Sequence, residues 1–297
     1  MTNVAATKPT IAFRNVLLAT DLSPTSSAAL HWAEAIARHY GSELYVTHVI
    51  SPSETALVPP EYWGATQEAI EEAAVREMKG MDAKLGGLSH KVLLQYGGIW
   101  QSISADLREF GIDLLVMGTH GREGFGRLML GSFAEEAFRR APCPVLTLGP
   151  RVTAPAAGKL RFKRILFATH FGPESLAAVP YAVFFATEFE AALRLLHVMD
   201  EEDFDLPTDP QVALRSHTAR LRKIISDATE LASPPSYRVE FGKAADEILS
   251  VADEEKADLI VIGAKPAAHV DAATHLESSV AHHLLAFATC PILTVCG

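Results

Sequence analysis

The sequence predicts an α/β protein of two tandem doubly wound parallel five-stranded sheets, each flanked by helices. Two observations carry this expectation. The chain repeats itself at half its length, and within each copy short apolar runs alternate with stretches of helical periodicity. A length of 297 residues agrees, since about 100–200 residues per domain suits two domains.

The repeat is read directly. Val16 lies over Ile165, Thr20 over Thr169, Pro24 over Pro173 and His48 over His197, all 149 apart. GIDLLVMG lies over KADLIVIG, with Asp113 over Asp258 and Gly118 over Gly263, 145 apart. Cys143 lies over Cys290, an offset of 147. Small changes of offset are what loop insertions produce. The halves are expected to span residues 1–150 and 158–297, joined by the Pro/Ala/Gly-rich Gly149–Lys159.

In the first copy, Val16–Ala19 is a short apolar run suited to a strand buried on both faces. Ser23 offers an N-cap with Pro24 at the first helical position, and Gly41 supplies the stop. Leu44–Ile50 is a second strand and Thr66–Leu85 a long charged amphipathic helix. Val92–Gln95, Leu114–Met117 and Val145–Leu148 are further strands, with helices at Ile99–Phe110 and Ser132–Arg140. Parallel strands linked through helices imply right-handed crossovers. In the second copy Pro180 falls mid-helix, which predicts a kink or a late helix start.

Composition excludes several classes. Hydrophobic residues at 48% and charged residues at 21% give each half enough for a core and rule out a disordered chain or a coiled coil. No apolar run approaches the ~18 residues of a membrane span, and the N-terminus does not read as a secretory signal. The net charge is −10, and 12 Lys+Arg against 16 Asp+Glu in residues 1–150 leaves 14 against 20 beyond, so neither half has a basic footprint for nucleic acid. Three cysteines without a CxxC read as reduced thiols in a cytoplasmic protein.

Open α/β sheets bind ligands beyond the carboxyl ends of their strands, at the switch point. Ala19-Thr20-Asp21, His48-Val49-Ile50 and the segment Met117 to Ser132 end there. The last reads MGTHGREGFGRLMLGS, with Gly118, Gly121, Gly124, Gly126 and Gly131. Glycine lets backbone N–H groups approach an anion. Ser132 opens a helix whose free amides face the same space, and Arg122 and Arg127 flank the loop, a cradle suited to phosphates. A tight turn would use the same glycines. The segment is neither a P-loop nor a dinucleotide fingerprint, and no GxSxG occurs in the chain.

Gly118-x2-Gly121-x9-Gly131-Ser132 resembles the ATP-binding signature of the universal stress protein family. Ala19–Asp21, His48–Ile50 and Pro142–Leu146 sit where that family has such segments, and the resemblance covers nearly all of the chain. It implies a Rossmann-like fold and ATP as cofactor, with Mg or Mn as accompanying cation. It also implies roles. Asp21 accepts from adenine or ribose beside the backbone of Ala19 and Thr20. Val49 and Met117 pack near the base. Gly118, His120 and Gly121 approach ribose and phosphates, and Gly131 and Ser132 hold the phosphate tail; Arg122, Arg127 and Phe133 are counted with the site. Asp21 equally suits a helix cap near Ser23, Val49 an ordinary strand position, and His120 a solvated loop. Ala134 departs from the family, which often has threonine there.

The second copy has lost this pattern. Asp21 becomes His170, Gly121 becomes Pro266, Gly131 becomes Ser278 while Ser279 remains, and Ala264–Glu277 holds no glycine. The resemblance therefore implies a non-catalytic nucleotide-binding regulator of the stress response. Its first half would hold the nucleotide and its second half would be an internal pseudo-dimer partner, with Val145–Leu148 and Ile292–Val295 as pairing edges. Protein partners are expected but unidentified, and two chains could pair again as a homodimer. The alternatives are a slow ATPase, with His120 and Glu123 the only bases near the loop, and a scaffold without nucleotide. Elsewhere, His269, His275, His282 and His283 read as exposed polar positions rather than a zinc site. Cys143 and Cys290 read as buried. Glu68, Glu71, Glu72 and Glu77 read as a solvated face, and Trp32, Trp63 and Trp100 as core or interface packing.

Overall fold

The structure is a computed structural model that describes residues 11–23, 26–52, 59, 62–119, 132–199, 209–225, 231–265 and 280–297. The first half runs β1 (Asn15–Ala19), α1 (Ser27–Tyr40), β2 (Glu43–Ile50), α2 (Trp63–Lys84), β3 (His90–Tyr96), α3 (Ile99–Glu109), β4 (Leu114–Gly118), α4 (Ser132–Arg140) and β5 (Val145–Leu148). The second runs β6 (Arg164–Ala168), α5 (Pro173–Leu176), α6 (Val179–Glu188), β7 (Ala192–Met199), α7 (Pro210–Arg222), β8 (Ser236–Phe241), α8 (Ala244–Glu255), β9 (Leu259–Ala264), α9 (Val280–Phe287) and β10 (Ile292–Cys296).

The strand order is β3-β2-β1-β4-β5-β10-β9-β6-β7-β8. Each half is parallel with order 3-2-1-4-5, and its switch point lies between the first and fourth strands. The two five-stranded sheets are fused, because β5 and β10 pair antiparallel. Leu146 faces Leu293, its own repeat-mate, and Thr147 and Val145 face Ile292 and Thr294, so a pseudo-twofold axis passes between the two leucines. The pairing covers two edges that would otherwise present open backbone groups.

Aromatic residues fill the seam behind this junction. Phe13 stacks on Phe185 at 5.7 Å and meets Tyr40 edge-on at 5.3 Å. Phe162, the mate of Phe13, stacks on Trp32 at 5.9 Å and meets Phe189 edge-on at 5.0 Å. The Trp32 indole N–H donates to Thr153 O at 2.9 Å, which pins the linker to α1. Gly149 follows β5 where a Cβ would lie 2.7 Å from Leu285 O, so only glycine admits α9 this close.

The same backbone devices recur in both halves. Asp113 Oδ2 accepts from Arg14 N and Asn15 N at 2.9 and 3.0 Å, and Asp258 Oδ2 from Lys163 N and Arg164 N at 2.8 and 2.9 Å. Gly97 and Gly242 end β3 and β8 at φ +120° and +141°, with their N–H groups on Ile50 O and Met199 O.

Three local expectations are corrected or refined. Ser23 is not the N-cap: α1 starts at Ser27 after Ser26, because a turn holds residues 21–23 and Leu22 takes φ +62°. Pro24 lies outside the described residues. Pro180 causes a late start: α5 ends at Leu176 and α6 begins at Val179 with Pro180 in its first turn, where no N–H is needed. Trp32 is buried and Trp100 packs near Phe133 as expected, but Trp63 is 50% exposed at the start of α2. Glu68, Glu71, Glu72 and Glu77 form the exposed face of α2 as expected. Among the described residues no helix is long and apolar enough to cross a membrane.

The first half buries one carboxyl group the repeat does not require. Asp106 is 1% exposed, and accepts from Thr47 Oγ1 and Gln95 Nε2, both at 3.0 Å. Its mates are apolar or differently used: Val251 for Asp106 and Leu196 for Thr47. Burial, opposed by those two hydrogen bonds, raises the Asp106 pKa above the usual carboxylate value.

Two outcomes follow for urea unfolding. Phe162→Ala should cost about 3–5 kcal/mol, because a buried ring at the seam leaves a cavity. Asp106→Ala should cost about 1–3 kcal/mol by stranding Thr47 and Gln95. Asp106→Asn should differ in sign at neutral pH. A folded pKa raised above the unfolded one is a penalty that sets in as pH rises through the folded value. The asparagine variant should therefore be the more stable at pH 7, and the advantage should vanish below the unfolded pKa of 3.8.

Candidate functional site

The carboxyl ends of β1, β2 and β4 meet at the first half's switch point. Ala19 sits beside Met117 in register and also beside Thr47. Ala19, Val49 and Met117 share one apolar cluster on the α3/α4 side of the sheet, with Phe133 packed against it. Met117 is 2% exposed, so its side chain is core before it is anything else. Val49 is buried likewise, as a strand residue would be.

Thr20 is the hinge of the site. Its N–H donates to Thr47 O at 3.0 Å and its carbonyl meets His48 Nδ1 at 2.8 Å. Its Oγ1 accepts from Leu22 N at 3.1 Å and pairs with Ser26 Oγ at 3.1 Å, which itself donates to Ser23 O at 2.7 Å. These bonds hold Leu22 in a left-handed conformation that is costly for a branched residue. The second half repeats the arrangement: Thr169 Oγ1 accepts from Phe171 N at 3.0 Å and pairs with Ser175 Oγ at 2.9 Å, and Thr169 O meets His197 Nδ1 at 2.8 Å. Phe171 has φ +65°. Ser26 and Ser175 were not singled out in the sequence, although their offset of 149 matches the other pairs.

The two carboxylate oxygens of Asp21 stand in different surroundings. Oδ1 accepts from Ser23 N at 3.2 Å and from Ser23 Oγ at 2.8 Å, an Asx turn. Oδ2 is buried with no hydrogen-bond partner among the described residues. A buried carboxylate oxygen without a donor is costly and suits a ligand N–H or O–H. In this respect the residues fit an adenine nucleotide.

His120, Gly121, Arg122, Arg127 and Gly131 lie outside the described residues, as does the side chain of Ser132. The backbone of Ser132 opens α4, a nine-residue helix with Glu135 in its first turn. Gly118 ends β4, where an added Cβ would meet no described atom within 4 Å; its mate Gly263 differs. A Cβ on Gly263 would overlap Glu174 O and lie 2.5 Å from Ser175 Cα. Glycine at this point thus serves backbone packing in the second half, apart from any ligand.

Where the first half has Asp21, the second has His170, whose Nε2 lies 3.0 Å from Glu174 Oε1; Lys265 Nζ approaches the same oxygen at 3.5 Å. A backbone N–H and His170, with Lys265 further out, lower the Glu174 pKa. Pro266, Ser278, Ser279, His269 and His275 lie outside the described residues. His283 faces Asp246 at 3.3 Å, and the described residues include no cluster of three metal-ligating side chains. Burial pushes the Cys143 and Cys290 thiols up to about 12, which makes them inert packing residues.

The comparisons agree with this double arrangement. The profile of the Universal stress protein family matches residues 12–148 and again residues 161–295. A universal stress protein of Methanocaldococcus jannaschii is 31% identical over 140 residues, 46% of this chain and 82% of its own. One from Thermus aquaticus is 34% identical over 134 residues, 45% of this chain and 97% of its own. The crystal structure of a universal stress protein from Archaeoglobus fulgidus superposes with a TM-score of 0.64 at 19% identity, covering 96% of this chain and 98% of that one, so the fold extends over both halves. The chain belongs to the universal stress protein family, which its two halves each represent once.

Proposed function

We propose that the first half binds ATP and that the protein is a non-catalytic regulator in the stress response, its second half a nucleotide-free partner. The observation that carries this is Asp21 Oδ2, buried at the switch point without a hydrogen-bond donor among the described residues. A nucleotide would supply one from its adenine or ribose. Backbone groups of Ala19 and Thr20 and the apolar surface of Val49 and Met117 would border the base. The glycines and basic residues of the segment between β4 and α4, with Gly131 and Ser132 at the helix start, would receive the phosphates. A divalent cation, Mg or Mn, would neutralise part of their charge. Bound ATP would act by altering the binding of a protein partner. The second half offers the His170–Glu174 pair in place of a free carboxylate oxygen. Free thiols persist in the reducing cytoplasm, where this reading puts the protein.

Calorimetric titration of the full chain tests the reading. One ATP per chain is expected; two would overturn the silent second half. Asp21→Asn keeps an acceptor for the Ser23 turn but replaces Oδ2 with a donor. It should weaken ATP by about 1.5–3 kcal/mol with the melting temperature nearly unchanged. Unaltered affinity would remove Asp21 from the site. Phosphate release should stay at background; turnover abolished by His120→Ala would favour the slow ATPase instead.

A further inference from the structure

We propose that the pocket between β3 and α3 of the first half is a binding site for a guanidinium group brought by another molecule. The pocket has a volume of about 350 Å³ and is lined by Gln95, Tyr96, Gln101, Ser102, Asp106 and Glu109 around the Gly97–Gly98 turn. Its chemistry is one-sided. Two carboxyl groups, two side-chain amides and two hydroxyls line it, Asp106 already holding Thr47 and Gln95 while Glu109 is exposed, and no Lys, Arg or His among the described residues does. Gln95 Nε2 is committed to Asp106 Oδ1, which leaves the amide oxygen as an acceptor. The ring of Tyr96 is 51% exposed beside the pocket and its hydroxyl donates to Glu71 Oε1 at 2.6 Å, adding a third carboxylate nearby. An acceptor-rich pocket beside an aromatic ring suits a cation.

The second half shows which cation. At the 145-residue offset, Gln95 corresponds to Glu240, Glu109 to Glu254 and Leu93 to Arg238. Arg238 directs its guanidinium at both mates of the pocket residues, with Nε on Glu240 Oε1 and Nη2 2.9 Å from Glu254 Oε2, and it also reaches Glu255 at 3.5 Å. The sister half therefore places its own guanidinium between these two positions. Its turn is also closed by its own chain: a Cβ on Gly242 would lie 2.9 Å from Glu247 Oε1, and the mate of Glu247 is the short Ser102. The first half keeps the acceptors, has leucine in place of the arginine, and leaves the space open. The planar, fork-shaped donor set of a guanidinium matches paired carboxyl and amide oxygens better than a point-like ammonium does.

The full chain is titrated with methylguanidinium at constant ionic strength, with amide shifts in ¹H–¹⁵N spectra as the readout. Saturable shifts of Gly97 and Gly98 are expected, and none with methylurea, which has a similar shape but no charge. Blocked arginine amide producing the same shifts would extend the site to arginine side chains of peptides; its failure beside a positive methylguanidinium result would confine it to small guanidinium compounds. Glu109→Lys changes an exposed residue, so folding is retained, and it should lower affinity at least about tenfold by placing like charge in the pocket. Leu93→Arg, which installs the sister half's cation, should abolish binding. Equal shifts with methylurea, or unchanged binding in Glu109→Lys, would overturn the proposal.

Discussion

The antiparallel pairing of β5 with β10 is the constraint on which the rest of the molecule depends. Each half alone would end in a strand with a free backbone edge and an apolar flank. Joining the two edges about Leu146 and Leu293 buries both strands. It also brings α1 and α6 together, so that Phe13, Tyr40, Phe162 and Phe185 form one seam. The linker need only be short, and Trp32 fixes its path through Thr153 O. The apolar cluster that results runs continuously through both halves.

Within that frame the halves share one backbone logic and differ in chemistry. The threonine after the first strand, the serine six residues beyond it and the histidine of the second strand make the same bonds twice. Those residues hold a strained turn and are needed wherever the turn is needed. The differences fall on the groups facing outward from it. Asp21 gives way to His170 with its glutamate partner, and the Thr47–Asp106–Gln95 network gives way to Leu196, Val251 and Glu240. A buried carboxyl group that the sister copy replaces with valine is not a demand of the fold.

Duplicated sequence is a strong guide where the reason for a residue is local and a weak one where it is not. The strand Val145–Leu148 and the helix Ser132–Arg140 were legible to the residue, since apolar period and capping settle them. The start of α1 was not, because Ser23 is a good cap by type and loses that role only to the turn that Asp21 and Thr20 impose. Trp63 reads as core or interface packing by type and lies half exposed rather than in the core, since α2 buries only Ala74 and Met78 of its length.

The sequence by itself determined the family, the two parallel five-stranded units, the linker and the asymmetry between Asp21 and His170, because each of these rests on residue identity and spacing. Tertiary structure decided that the two sheets become one. It also decided that Gly263 is glycine because α5 crosses it, and that Glu109 and Gln95 border an open pocket while their mates close around Arg238. These depend on which side chains from distant segments arrive at the same place, and residue spacing carries no record of that until the chain has folded.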